Sequence, residues 1–373
     1  MDYSKLLAAR VSGIEASGIR RIFDLAATVK DAINLSIGQP DFDVPEPVKA
    51  AHIEAIRGGF NRYPPSAGFP ELRKLVLDQY QQRNGVRPED CLIASGTSGG
   101  LTLALLALVN PGDEVLVPDP FFVSYKHLTT MCGGKPVFYD TYPDFKVSAA
   151  KLEKLITPKT KAILCMSPAN PTGATLTAKE KQEIADLARA KNVVLISDEI
   201  YELFTYGGDA KSLLAYYPEG TLSVGGLSKT LAMTGWRIGW TAGPKSLIEE
   251  LIKLQQFTFV CAPSSAQRAA LSAFDIDLRE KVNAYRQKRD LLVGALRGSG
   301  YEVEEPGGAF YLFPRVPKSY ASGQQFVEAA IQKRLLLVPG NVFSNCDTHF
   351  RISYAASDET LKAAVEIFKA LSR

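Results

Sequence analysis

Between residues 91 and 242 short apolar runs alternate with amphipathic stretches, and this alternation restricts the possible folds more than any other feature of the 373-residue chain. The runs predict strands at 91–95, 114–117, 136–139, 161–166, 193–197, 221–224 and 237–242. Helical patterns at 99–108, 148–155 and 177–190 lie between several of them. In the last, Ile184, Leu187 and Ala188 share one apolar face. Strands that are apolar almost throughout belong in a mostly parallel sheet covered on both sides, here an α/β arrangement of seven strands. Beyond about residue 275 the pattern changes to a long helix (276–298), hairpin-like strands (301–314) and a helix near 322–333. A short apolar run (335–338), a strand (349–353) and a final helix (357–371) complete it. The expectation is three parts. An arm over 1–40, with a helix at 17–30, packs with the smaller domain; a large domain covers 41–275; a small α+β domain covers 276–373.

Forty-three basic residues against forty acidic ones leave a formal charge of +3 without any dense Lys/Arg tract. Bulk charge therefore points to neither nucleic acid nor membrane. No apolar run approaches the length of a membrane span. The start, Met1-Asp2-Tyr3-Ser4-Lys5, lacks the basic-then-apolar order of a secretory signal. Cys91, Cys132, Cys165, Cys261 and Cys346 are scattered, which reads as free thiols and not as a disulfide framework or zinc site. A cytoplasmic protein without a metal is expected.

Four segments carry candidate chemistry. Ser95-Gly96-Thr97-Ser98-Gly99-Gly100 breaks a buried strand and opens a helix, whose free N–H groups and dipole make a phosphate seat. The same residues fit the G-x-S-x-G elbow of a serine hydrolase with Ser98 as nucleophile. His127 and His349 follow in the chain order that reading needs, although no HGGG-like segment precedes it. A plain strand–helix turn is the third reading. Next, Ser167-Pro168-Ala169-Asn170-Pro171-Thr172-Gly173 leaves another strand at the sheet edge where ligands bind in open α/β folds. An ordinary turn would look the same.

Asp198 ends a very apolar strand, so its carboxylate needs a cation or several donors unless it caps a helix. Tyr201 stands three residues on. Last, Gly225-Gly226-Leu227-Ser228-Lys229-Thr230 precedes Arg237. Ser228 occupies a position that a phosphate-binding P-loop reserves for glycine, so this is not a Walker motif. A lone loop lysine is usually a solvated charge; among small residues at a strand end, Lys229 reads as a functional amine.

Asn170, Asp198, Lys229 and Arg237 thus form an ordered series at strand ends. With GQPDF (38–42), NRYPPSAGFPELR (61–73), SPANPTG (167–173), SDEIY (197–201), LSKTLAMTGWRIGW (227–240), GGAFYLFP (307–314) and FRISYA (350–355), the chain closely resembles the class I/II aminotransferases of fold type I. The resemblance implies a large domain binding pyridoxal 5'-phosphate, carried by Lys229 as a Schiff base, and amino transfer from an L-amino acid to a 2-oxo acid such as 2-oxoglutarate. It also implies that Lys229 is the general base and that Asp198 pairs with the ring nitrogen. Tyr201 and Asn170 would bond the ring's phenolic oxygen, and Phe122 would stack on the ring. Gly96, Thr97, Ser98 and Arg237 would hold the phosphate, with Tyr63 reaching in from the partner of a homodimer. Arg351 would grip the substrate carboxylate beside Gly38.

A lyase of the same cofactor class shares these motifs, and a hydrolase at Ser98 is the more distant alternative. Two departures stand out. Gly226 replaces a Ser or Thr that many relatives use for phosphate, and Phe122 replaces a Trp or Tyr. Substrate side-chain choice is expected to depend on residues near 14–24, on Phe122 and on the partner chain.

Overall fold

The computed structural model describes residues 1, 3–15, 18 and 29–372. The expected helix at 17–30 and the expected selectivity segment 14–24 lie largely outside the described residues. A two-residue strand, β1 (Ile33–Asn34), precedes seven that form one sheet. These are β2 (Asp90–Ser95), β3 (Glu114–Asp119), β4 (Lys135–Asp140), β5 (Thr160–Met166), β6 (Val194–Asp198), β7 (Thr221–Gly226) and β8 (Ile238–Gly243). Their order is β2-β8-β7-β6-β5-β3-β4. Only β8 runs antiparallel to its neighbours.

Strand residues alternate between two apolar layers, because successive side chains leave opposite faces. On one face Val115, Val117, Ala162, Leu164 and Ile196 pack with Leu101, Leu105, Ile248 and Leu251. These come from helices Gly96–Leu108 and Lys245–Phe257. On the other, Leu116, Ile163 and Leu195 meet Ile184, Ala185 and Ala188 of helix Ala178–Lys191. That helix starts at a capping box between Thr177 and Glu180. Helices Glu46–Arg57 and Pro70–Asn84 bury Val48, Leu72 and Val76 over the β2–β8 end.

Four further strands lie in the C-terminal part: β9 (Tyr311–Leu312), β10 (Leu335–Leu336), β11 (Val338–Pro339) and β12 (Phe350–Ser353). The expected hairpin over 301–314 does not form. Only β9 is regular there, and its partner is β12, which also pairs with β11. Pro306, Gly307 and Gly308 interrupt the segment, and Pro314 ends it, removing the donors and stiffness a hairpin requires. The chain around β1 is stitched to this part. β1 pairs with β10, and the Ser353 amide donates to the Leu35 carbonyl at 2.8 Å.

Candidate active site

Five strand termini meet at one edge of the sheet. β2, β5, β6 and β7 end there, and β8, running the other way, begins there. The residues just beyond those termini include Thr97, Asn170, Tyr201, Lys229 and Arg237. All five line one cavity of about 300 Å³, together with Gly38, Ser98, Phe122, Asp198, Tyr311 and Arg351.

The wall at β2 and β8 suits an anion. Gly96 adopts φ +67°, and a Cβ there would lie 2.5 Å from Arg237 Nη2. A Cβ on Gly239 would lie 2.7 Å from the Thr97 amide nitrogen, so two glycines let β8, the helix start and the guanidinium crowd together. Arg237, itself at φ +58°, is held by the Thr234 carbonyl at 2.9 Å and the Ser95 carbonyl at 3.4 Å. Its charge and the helix N-terminus thus converge on one spot.

At the centre, Asp198 is 2% exposed. The Tyr125 hydroxyl donates to its Oδ2 at 2.8 Å and the Ile200 amide to its Oδ1 at 3.3 Å. Burial raises the Asp198 pKa to about 6, with the two donors and the Lys229 charge opposing. Lys229 donates to the Gly38 carbonyl at 2.6 Å. Burial, then the charges of Arg351 and Arg237, lower its pKa to about 8. The Tyr201 and Tyr311 hydroxyls are 2.7 Å apart.

Arg351, on β12, is 1% exposed. It donates to the Ser36 carbonyl at 2.7 Å and to Asn170 Oδ1 at 3.0 Å. It lies 4.6 Å from the ring centres of both Tyr311 and Phe343. Its Nε has no hydrogen-bond partner, and no acid pairs with it among the described residues. A buried cation with a spare donor calls for an anion from outside the chain.

Tyr63 stands apart. It is 85% exposed, beside an open groove with Phe60, Cys261 and Pro263. The hydrolase constellation is not assembled either. His349 pairs with the Thr348 hydroxyl at 2.8 Å and stacks on Phe313, and no hydrogen bond joins Ser98 to it or to His127. At Gly226 a Cβ would lie 3.0 Å from the Ile238 carbonyl oxygen, so a larger side chain there would require the β7–β8 pair to shift by a few tenths of an ångström. Ser228 and Thr234 supply hydroxyls to the cavity instead. Sequence reasoning missed Tyr125, Tyr311 and Ser36. Tyr125, three residues after Phe122, carried the only signal, a helical spacing toward the same site.

The pattern of aminotransferase class I and II matches residues 30–368. The chain belongs to this family. It is 39% identical over 371 residues to a putative aminotransferase, YugH, of Bacillus subtilis, covering 96% of each chain. It is 36% identical over 375 residues to aromatic-amino-acid aminotransferase 2 of Thermococcus litoralis, again covering 96% of each. Among solved structures, Thermus thermophilus aspartate aminotransferase with maleate superposes with a TM-score of 0.93 at 35% identity, over 98% of this chain and 99% of that one.

This aminotransferase is pyridoxal-phosphate-dependent, and its residues fit that group. The glycine-lined cradle that a Cβ would fill suits the phosphate. The buried Asp198 suits a protonated ring nitrogen, and the amine of Lys229 suits an aldehyde.

Proposed function

We propose that the enzyme transfers the amino group of an L-amino acid to 2-oxoglutarate in two ping-pong halves, with Lys229 carrying both the cofactor and the proton. The supporting observation is the meeting of Asp198, Lys229 and Arg351 in one cavity. When bound, pyridoxal phosphate supplies an electron-accepting ring that takes up negative charge from the substrate α-carbon. Arg237, the N–H groups of the helix start at Gly96 and the hydroxyls of Thr97 and Ser98 would hold its phosphate. Phe122 would stack on the ring, Asp198 would keep the ring nitrogen protonated, and Tyr201 and Asn170 would bond the phenolic oxygen.

Arg351 clamps the substrate carboxylate through two N–H bonds beside Gly38, which fixes the α-hydrogen toward Lys229. A lysine whose pKa lies near 8 has a usable neutral amine at neutral pH, which suits it to move the proton at the α-carbon.

Tyr63 serves the partner subunit's site in a homodimer. Its exposure, with that of Phe257 (86%) and Val260 (42%), supports that reading. The division into arm (1–40), large domain (41–275) and small domain (276–373) is supported by the β1–β10 pairing. Five free thiols suit a reducing cytoplasm.

A donor amino acid alone should release one equivalent of its 2-oxo acid per site, and continued release should require 2-oxoglutarate. Steady turnover without any acceptor would favour the lyase and end this reading. Borohydride should fix the cofactor on Lys229. In Lys229→Ala that adduct should vanish and turnover should fall about 10⁴-fold.

A further inference from the structure

Asp198 is held from behind by a residue on a different element. Tyr125 lies in helix Val123–Met131, is fully buried, and points its hydroxyl at Asp198 Oδ2 from 2.8 Å. Its own position is fixed twice. Its ring meets Phe122 edge-on at 5.6 Å, and its carbonyl accepts the Thr129 hydroxyl at 2.8 Å. On the other carboxylate oxygen, among the described residues, the Ile200 amide alone donates, at 3.3 Å, a weaker geometry.

A carboxylate offers about four lone-pair directions, so these two donors leave others for a ring N–H on the cavity side. A neutral phenol donates more strongly to the ionised acid than to the protonated one, so it favours the charge. The charged group facing Asp198 is Lys229, and the other titratable groups facing the phenol are Tyr139 and Tyr201. Burial holds the phenol well above its ordinary pKa, so it remains a donor across the working range.

We propose that Tyr125 is a positioning residue of this enzyme: its hydroxyl holds the Asp198 carboxylate ionised and turned toward the cavity, and so governs protonation of the cofactor's ring nitrogen. This rests on the assignment of Asp198 to that nitrogen. Tyr125 touches neither cofactor nor substrate and acts through Asp198.

Carbon-13 NMR of aspartate-labelled apoprotein tests it, with the Asp198 signal identified by its loss in Asp198→Asn. In Tyr125→Phe the Asp198 midpoint should rise by about one pH unit, and the dissociation constant of pyridoxal phosphate should rise about tenfold. Should Tyr125→Phe fold poorly, 3-fluorotyrosine at position 125 keeps the ring and strengthens the donor, and the midpoint should fall. An unchanged midpoint in the variant that folds overturns the proposal. Asp198→Ala separates the two layers. If it weakens cofactor binding while Tyr125→Phe changes neither midpoint nor affinity, only the role of Tyr125 is lost. If Asp198→Ala leaves affinity and ring-nitrogen protonation as in the wild type, the Asp198 assignment falls and takes this inference with it.

Discussion

The cavity has two halves built in different ways. The sheet half comes from neighbouring strands of one ladder. Asp198 ends β6, Lys229 follows β7 by three residues, and Arg237 precedes β8. Strand spacing of about 5 Å brings such residues together as soon as the strands pair. The carboxylate half has no such scaffold. Arg351 stands on a three-stranded sheet of the C-terminal part and is oriented by Ser36, near the start of the chain, and by Asn170, in the loop after β5. One half therefore follows from local ladder geometry, and the other exists only when three distant segments pack. The first suits permanent cofactor binding; the second suits a substrate that must come and go.

The sharpest way to break this comparison is to remove one cation from each half. Arg351→Ala should raise KM for the amino donor roughly 10²- to 10³-fold while leaving cofactor affinity almost unchanged, because two charge-assisted bonds to substrate are lost. Arg237→Ala should do the reverse, weakening cofactor binding roughly ten- to hundredfold with a small change in donor KM. Equilibrium titration of the cofactor and initial rates would measure both. If either variant moved the two quantities together, the halves would not be independent.

A second test uses proton linkage within the sheet half. Burial lifts the Asp198 pKa from the ordinary 3.8 to about 6, so the folded form binds the extra proton between those values. Apoprotein stability should consequently decline as pH rises from about 4 to about 6, and the cost persists above that. Lys229, lowered from 10.5 to about 8, contributes the opposite slope, with stability recovering between those two values. Asp198→Asn should stabilise the apoprotein at pH 7 by up to about 3 kcal/mol and by nothing below pH 4, as read from denaturant midpoints. Equal stability of variant and wild type at every pH would show that the carboxyl carries no burial cost.

The smallest effect is expected at Ser98. Ser98→Ala removes one neutral hydroxyl beside the phosphate cradle, and cofactor affinity should fall only about fivefold. Transamination should persist. Total loss of activity would revive the nucleophile reading of the G-x-S-x-G match.

Sheet positions were largely legible in the chain. β5 and β6 match the expected runs within a residue or so, because a strand buried on both faces must be apolar along its whole length. The hairpin reading of 301–314 failed for the opposite reason. Two-residue strands carry too few side chains to show a period, and their partners are set by packing. At the site, Asp198 stood out as a carboxylate ending an apolar strand and Lys229 as an amine among small residues at a strand end, whereas Arg351 came only from the family resemblance. Tyr125 and Tyr311 did not, since an aromatic residue in an apolar segment looks like any core residue until its hydroxyl finds a partner.

The sequence by itself determined which segments of the large sheet become strands, to within about two residues where they stop, and which charged groups stand near those stops. These depend on residue chemistry over a few neighbours. Only the tertiary structure decided that β8 runs backwards, so that Arg237 at its start shares an edge with Asp198 at the end of β6. Only it decided that a buried arginine 153 residues beyond Asp198 would complete the cavity. Strand direction and long-range packing are set by the global burial of surface, to which every segment contributes and which no single segment encodes.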